Sequence, residues 1–235
     1  MADATNLVHR AIDLSDAEDY TGAVTLLTRA VALDPSNAQA YFERGMALLN
    51  LDRETDAMAD FDRALAIDPN FPGARDWRAR AAESLGNFRA AAEERLKGLR
   101  GRPDGPHPGM GVSPQSWADC ATAFINAGNH SKAKELLEEF FREHTLRVTS
   151  YACYETAPMR LLARLLIQSG DFVRAREFAH RAYNSKHHCP MDVLIYALAL
   201  EASGDPANAR RLCAEAMKIN DQMPGVKELN ERLAE

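Results

Sequence analysis

The sequence predicts an all-α fold, a solenoid of about six helix-turn-helix repeats with a C-terminal capping helix. Two observations carry this expectation. The segments YTGAVTLLTRAVALDPSN (20–37) and ETDAMADFDRALAIDPNF (54–71) align at an offset of 34 residues, and a fixed period of this length is the mark of a stacked repeat. Small residues and helix-ending residues then recur at the same places in each period, as two antiparallel helices per repeat require.

The register starts the first three repeats at Ala4, Ala38 and Pro72, and a second group, with its own offset, at Pro114, Thr156 and Pro190. The eighth position holds Ala11, Gly45, Ala79, Ala121, Ala163 and Ala197, and the twentieth Ala23, Ala57, Ala91, Ala133, Ala175 and Ala209. The twenty-seventh reads Ala30, Ala64, Gly98, Phe140, Ala182 and Ala216. Side chains this small let paired helices approach closely, with larger neighbours packing around the contact. The fifteenth position is Gly86, Gly128, Gly170 and Gly204 in the last four repeats, with Glu18 and Asp52 in the first two. Glycine there supplies the left-handed residue that ends a first helix. Pro35, Pro69 and Pro103 at position thirty-two end the second helices of repeats one to three.

Residues 1–105 thus read as repeats one to three and residues 114–223 as repeats four to six. The Gly/Pro-rich run at 106–113 reads as a loop interrupting the solenoid, because it cannot continue a helix. A second insertion, VTSYACYE (148–155), is β-branched and aromatic and is expected to be packed. With Phe140 at a small-residue position just before it, altered packing between repeats four and five is expected. Residues 224–235 read as a capping helix, with Val226, Leu229 and Leu233 on one face to close the stacking surface.

Composition excludes several classes. A net charge of −6 and pI near 5.7 argue against general nucleic-acid binding, which needs a dominant cationic footprint. The charge is uneven: residues 1–71 carry 13 acids and 5 bases, net −8, and residues 72–105 carry 5 acids and 8 bases, net +3. Only six of the 28 basic residues are lysine, which with heavy alanine use suggests a GC-rich bacterial genome. The start shows no basic stretch before an apolar core, and no apolar stretch is long enough to span a bilayer. The four dispersed cysteines fit free thiols in a reducing cytoplasm.

Chemistry is sparse. No GxSxG, phosphate-binding loop, HExxH or GxGxxG motif occurs, so no catalytic residue, metal or cofactor is expected. His187, His188 and Cys189 are adjacent, so they point in different directions rather than converging on a metal. The paired acids Glu93–Glu94 and Glu138–Glu139 read as solvated charge.

These residues resemble the tetratricopeptide repeat family over nearly the whole chain. Repeat two carries the resemblance best, through Tyr41, Gly45, Ala57, Phe61, Ala64 and Pro69, whereas repeat three departs at Arg75 and Arg95. The resemblance implies a right-handed superhelix whose concave groove is lined by the first helix of each repeat. Carried over by position, that groove includes Val8, Ile12, Phe42, Met46, Leu49, Trp77, Arg80, Arg160 and Arg164. Its first half would be apolar and aromatic with flanking arginine, the composition of interface hot spots. The alternative reading gives some of these side chains to the inter-repeat core, or fills the surface with the chain's own loop at 105–112. The family's chaperone-binding branch grips a partner's C-terminal carboxylate. The matching positions here are Val8, Ile12, Glu43, Gly73 and Trp77, and Glu43 would repel it.

The expected function is a cytoplasmic, non-catalytic scaffold that binds a peptide or helix of another protein, with Arg80, Arg160 and Arg164 selecting acidic groups. One alternative is a dedicated immunity protein or secretion chaperone for one basic effector, which the acidic first two repeats would suit. Another is self-association into a structural assembly through exposed stacking faces.

Overall fold

The computed structural model describes residues 3–100, 113–143, 156–185, 189–220, 222–223 and 225–234. Residues 106–112 of the expected 106–113 loop and the insertion at 148–155 lie outside them, as do His187 and His188. Among the described residues there are thirteen helices and no strand. They fall into two compact units, Met1–Asp104 and Gly105–Glu235.

The first unit contains α1 (Ala4–Asp16), α2 (Tyr20–Leu33), α3 (Ala38–Leu49), α4 (Glu54–Ile67), α5 (Ala74–Ser84) and α6 (Phe88–Arg100). They form three hairpins, α1 with α2, α3 with α4 and α5 with α6. Each second helix packs onto the next hairpin, and the first helices α1, α3 and α5 also touch in turn. The second unit contains α7 (Pro114–Asn126), α8 (His130–Glu143), α9 (Ala157–Gln168), α10 (Phe172–Tyr183), α11 (Pro190–Ala202), α12 (Pro206–Ile219) and α13 (Val226–Ala234). Its first six helices are again three hairpins, and α13 lies on α12.

One turn is built six times. The residue at position fifteen has positive φ in every repeat: Glu18 (63°), Asp52 (54°), Gly86 (74°), Gly128 (75°), Gly170 (78°) and Gly204 (81°). The next N–H then donates back to the last turn of the first helix, from Asp19 to the Leu14 carbonyl at 2.8 Å in the first repeat and from Asp205 to the Leu200 carbonyl at 2.9 Å in the sixth. This satisfies a carbonyl that the helix end leaves open. The same residue starts the second helix. Asp19 accepts from the Gly22 N–H at 2.9 Å, Asn87 from Ala90 at 3.2 Å and Asn129 from Lys132 at 3.1 Å; Asp171 and Asp205 cap α10 and α12 likewise. Arg53 has no acceptor to offer and bonds Asp56 instead.

The recurring small residues are the hairpin seams. Every alanine at positions eight and twenty is fully buried. Gly45 lies so close to Phe61 of α4 that an added Cβ would meet the ring. Phe140 breaks the pattern: it is buried in an aromatic series in which Trp117 is 5.5 Å from Phe140, Phe140 5.0 Å from Phe141, and Phe141 4.9 Å from Phe178 of α10. Repeat four is therefore joined to repeat five through tilted and edge-on ring contacts that begin where the other repeats carry alanine or glycine.

Repeat three replaces apolar packing with ion pairs. Arg95 bonds both oxygens of Glu83 at 3.2 and 3.0 Å. Arg75 reaches Glu94 at 3.3 Å and the Pro69 carbonyl at 3.2 Å. Glu94 also meets Arg78 at 3.3 Å and Lys97 at 2.8 Å. It is only 6% exposed, so the expectation that it is solvated charge is corrected: it is an internal anion held by three cations. Burial pushes its carboxyl up, but the Lys97 hydrogen bond and the charges of Arg78, Lys97 and Arg75 outweigh this and hold it below the ordinary value.

Helix α13 buries Val226, Leu229 and Leu233 and turns Lys227, Glu228, Asn230, Glu231 and Arg232 to solvent. Arg210 of α12 donates to the Leu233 carbonyl at 2.6 Å, and Arg232 pairs with Glu201 of α11 at 2.8 Å. Its apolar stripe closes the core of the last hairpin.

Candidate functional site

The candidate face lies in the first unit, on α3 and α5. Phe42 projects from α3 with its ring 5.9 Å from Phe61 and 5.0 Å from Phe71. Gly73, in a left-handed conformation (φ 79°), precedes α5 and has the Phe42 and Trp77 rings each 3.7 Å from where a Cβ would stand. A side chain there would be strained by the backbone, while its Cβ would stand in ordinary contact with both rings. Met46, Leu49 and Trp77 pack on the same core, formed by Leu48, Ala57, Phe61 and Ala81. All four of Phe42, Met46, Leu49 and Trp77 are half-buried, so each contributes to the α3–α5 contact and keeps an outer edge in solvent.

Arg80, one turn beyond Trp77, is exposed, with its guanidinium 5.0 Å from the indole centroid, a cation–π contact. Leu49, Asn50, Asp52, Glu54, Trp77, Arg80 and Ser84 line a recess of about 190 Å³. Arg80 therefore shares its surroundings with two acids.

The α1 residues behave differently. Val8 is 2% exposed and belongs to the core with Leu7, Ala11, Leu27, Ala40 and Ala47. The expectation that Val8 lines a surface is corrected: it is buried in the core that α1 shares with α2 and α3. Ile12 is half-buried against that same core.

Arg160 and Arg164 stand on α9, in the second unit. Arg164 is exposed. Arg160 donates to Asp192 Oδ1 of α11 at 3.0 Å and to Thr156 Oγ1 at 2.7 Å, and the Thr156 hydroxyl donates to Asp192 at 3.1 Å. Asp192 is fully buried. Burial pushes its carboxyl above the ordinary value, against the charge and hydrogen bond of Arg160. Arg160 is thus an internal tie between α9 and α11.

Sequence reasoning passed over the anchors beneath the face. Arg44 of α3 grips Asp60 of α4 in a two-pronged bond, Nε to Oδ2 and Nη2 to Oδ1, both at 2.7 Å. Arg78 and Glu94 hold the same positions, seven and twenty-three, one repeat later and meet in a single contact at 3.3 Å. An arginine followed sixteen residues later by an acid was the available signal.

Glu43 is the exception among these carboxylates. It is half-buried on α3 next to Phe42 and forms no ion pair among the described residues. Burial raises its carboxyl, a Gln39 hydrogen bond opposes this, and the nearby charge of Asp16 raises it further.

The chain resembles known helical-repeat proteins. The tetratricopeptide repeat family model matches residues 9–74. The STIP1 homolog of Dictyostelium discoideum is 31% identical over 97 residues, 41% of this chain and 17% of that protein. Human serine/threonine-protein phosphatase 5 is 34% identical over 91 residues, 39% of this chain and 18% of that protein. The chain thus spans about a fifth of the length of these curated relatives. Among solved structures, Pseudomonas aeruginosa pilF superimposes with a TM-score of 0.66 at 14% identity, covering 97% of each chain. YrrB, described as having an unusual peptide-binding site, superimposes with a TM-score of 0.63 at 14% identity over 88% of this chain and 97% of its own. These two likenesses are of fold. Residues 9–74 of the chain thus match the tetratricopeptide repeat, and the same helical hairpin is built six times among its described residues.

Proposed function

We propose that this protein is a non-catalytic, cytoplasmic interaction scaffold whose first unit binds a peptide or helix of a partner protein on the α3–α5 face. The observation that carries the reading is the group Phe42, Met46, Leu49 and Trp77, half-buried side by side and fronted by Arg80. Aromatic, methionine and arginine side chains in one patch are the composition of interface hot spots. The relatives' tetratricopeptide regions and the peptide site described for YrrB support it. Among the described residues no helix is long and apolar enough to cross a membrane.

The chain has two tryptophans, Trp77 and Trp117, which makes the reading directly measurable. In a Trp117→Phe variant, Trp77 reports alone. Synthetic peptides of amphipathic sequence are expected to shift its emission saturably, and Met46→Ala to weaken binding while the helical circular dichroism persists. Peptides that bind with Trp77 emission unmoved would place the binding surface elsewhere.

A further inference from the structure

The α3–α5 face has a preferred partner chemistry written into its charges. Asp52, Glu54 and Arg80 line the recess beside Trp77, Glu43 of α3 has Asp16 of α1 as its charged neighbour, and the cations beside Phe71 and Gly73, Arg75 and Lys97, are taken up by Glu94. The neighbouring buried and half-buried carboxylates of this unit are matched, Asp60 by Arg44, Glu83 by Arg95, and Glu94 by Arg75, Arg78 and Lys97. Glu43 is not. Its charged neighbour is another acid, Asp16, and its side chain is half-buried with a hydrogen bond to Gln39 on the same helix. A carboxylate that is partly desolvated and faces a like charge gains more from an arriving cation than a solvated one would.

We propose that this face binds a cationic peptide segment of a partner protein, with a lysine or arginine against Asp16 and Glu43 and adjacent apolar side chains on Phe42, Met46 and Trp77. The inference rests on the interaction-face reading above and adds the partner's charge. Coulomb attraction selects the segment and aligns it, while apolar burial on the two rings holds it. Arg80 lies over the Trp77 ring and is outnumbered in its recess by Asp52 and Glu54. A peptide ending in a free carboxylate at Glu43 is disfavoured by the same charges.

The test uses the full chain carrying Trp117→Phe and three synthetic peptides with identical leucine and isoleucine anchors. Their flanking positions are arginine, glutamine or glutamate. Binding is read by Trp77 emission and by calorimetry. The arginine peptide is expected to bind about tenfold tighter than the glutamine peptide, and the glutamate peptide weakest. This margin shrinks as salt screens the charges. Glu43→Gln with Asp16→Asn is expected to abolish the ordering, and Glu43→Lys to invert it, with circular dichroism confirming the fold of each variant. Equal affinities for the three peptides would overturn the cationic preference and leave the face intact as an interaction surface, and tighter binding of the glutamate peptide would overturn the preference outright. No binding of any peptide by either measurement would overturn the face reading and this inference together. A concentration-dependent dimer abolished by Trp77→Ala would assign the face to a second copy of the chain and also overturn the inference.

Discussion

A Cβ built on Gly45 lies 2.8 Å from Cε1 and 3.0 Å from Cζ of Phe61. Phe61 has no solvent exposure and the ring of Phe42 beside it, so it has little room to retreat. The α3–α4 seam is therefore set by the absence of one methyl group.

Gly45→Ala is expected to destabilise the first unit. Overpacking of this kind costs about 1–3 kcal/mol, while replacing a helical glycine by alanine returns about 1 kcal/mol, leaving a net loss of roughly 1 kcal/mol. Urea unfolding should show a lower midpoint at constant slope. Phe61→Leu added to Gly45→Ala should cost less than the two separate losses summed, because the smaller side chain accepts the methyl. A neutral Gly45→Ala would show that the seam relaxes.

Glu18 and Asp52 hold the left-handed conformation that glycine holds in the other four repeats. A side chain in that region costs about 1–2 kcal/mol, so Glu18→Gly and Asp52→Gly should each raise stability by roughly 0.5–1 kcal/mol after glycine's extra unfolded-state entropy is deducted. Gly128→Ala should do the reverse. The space around Gly128 is open, so a loss there would come from the backbone and not from a clash. Thermal midpoints of the three variants check this.

These features were unequally legible in the sequence. Alanine at positions eight and twenty is visible because close helix approach imposes size, and size repeats with the period. The left-handed turn was visible where it carried glycine. At Glu18 and Asp52 the back-bonded helix end imposes the same geometry on residues that do not advertise it. Arg44–Asp60 and Arg78–Glu94 were missed because each charge, viewed on its own helix, reads as solvated; only the hairpin sets position seven against position twenty-three. Val8 was misassigned for a related reason. Position five is taken into the contact between successive repeats, so Val8 is buried in a core that includes Ala40 and Ala47 of α3, and Arg160 at the same position finds Asp192 of α11.

The Glu94 cluster has a defined acid response. Its folded-state carboxyl lies below the ordinary 4.5, so the stability it contributes is fully present above that value and is lost as pH falls through the folded value. Glu94→Gln should be less stable than the parent protein at pH 7, and the difference should close in acid. Hydrogen bonds to charged groups are worth about 1.5–3 kcal/mol, which bounds the neutral-pH gap. Urea unfolding from pH 7 to pH 3 measures it; a gap independent of pH would assign the loss to packing.

Asp192 predicts the opposite sign in the second unit. Its folded carboxyl lies above the ordinary 3.8 because burial outweighs the compensation from Arg160, Thr156 and the Cys189 N–H. The ionised group therefore works against folding, and its contribution improves as pH falls from above the folded value towards 3.8. Arg160→Met keeps much of the side-chain volume and strands the carboxylate. Removing one partner of a buried pair costs about 3–5 kcal/mol, and solvent reaching the 18% exposed Arg160 side chain places the expected loss at the lower end, about 3 kcal/mol. Protonating Asp192 should restore part of that loss, so the deficit of Arg160→Met should shrink in acid as that of Glu94→Gln does, the first because a stranded carboxylate is neutralised and the second because the parent loses its ionised Glu94. Adding Asp192→Asn to Arg160→Met should likewise recover stability at pH 7, because no buried charge remains. An Arg160→Met protein as stable as its parent would instead return Arg160 to the set of partner-facing cations.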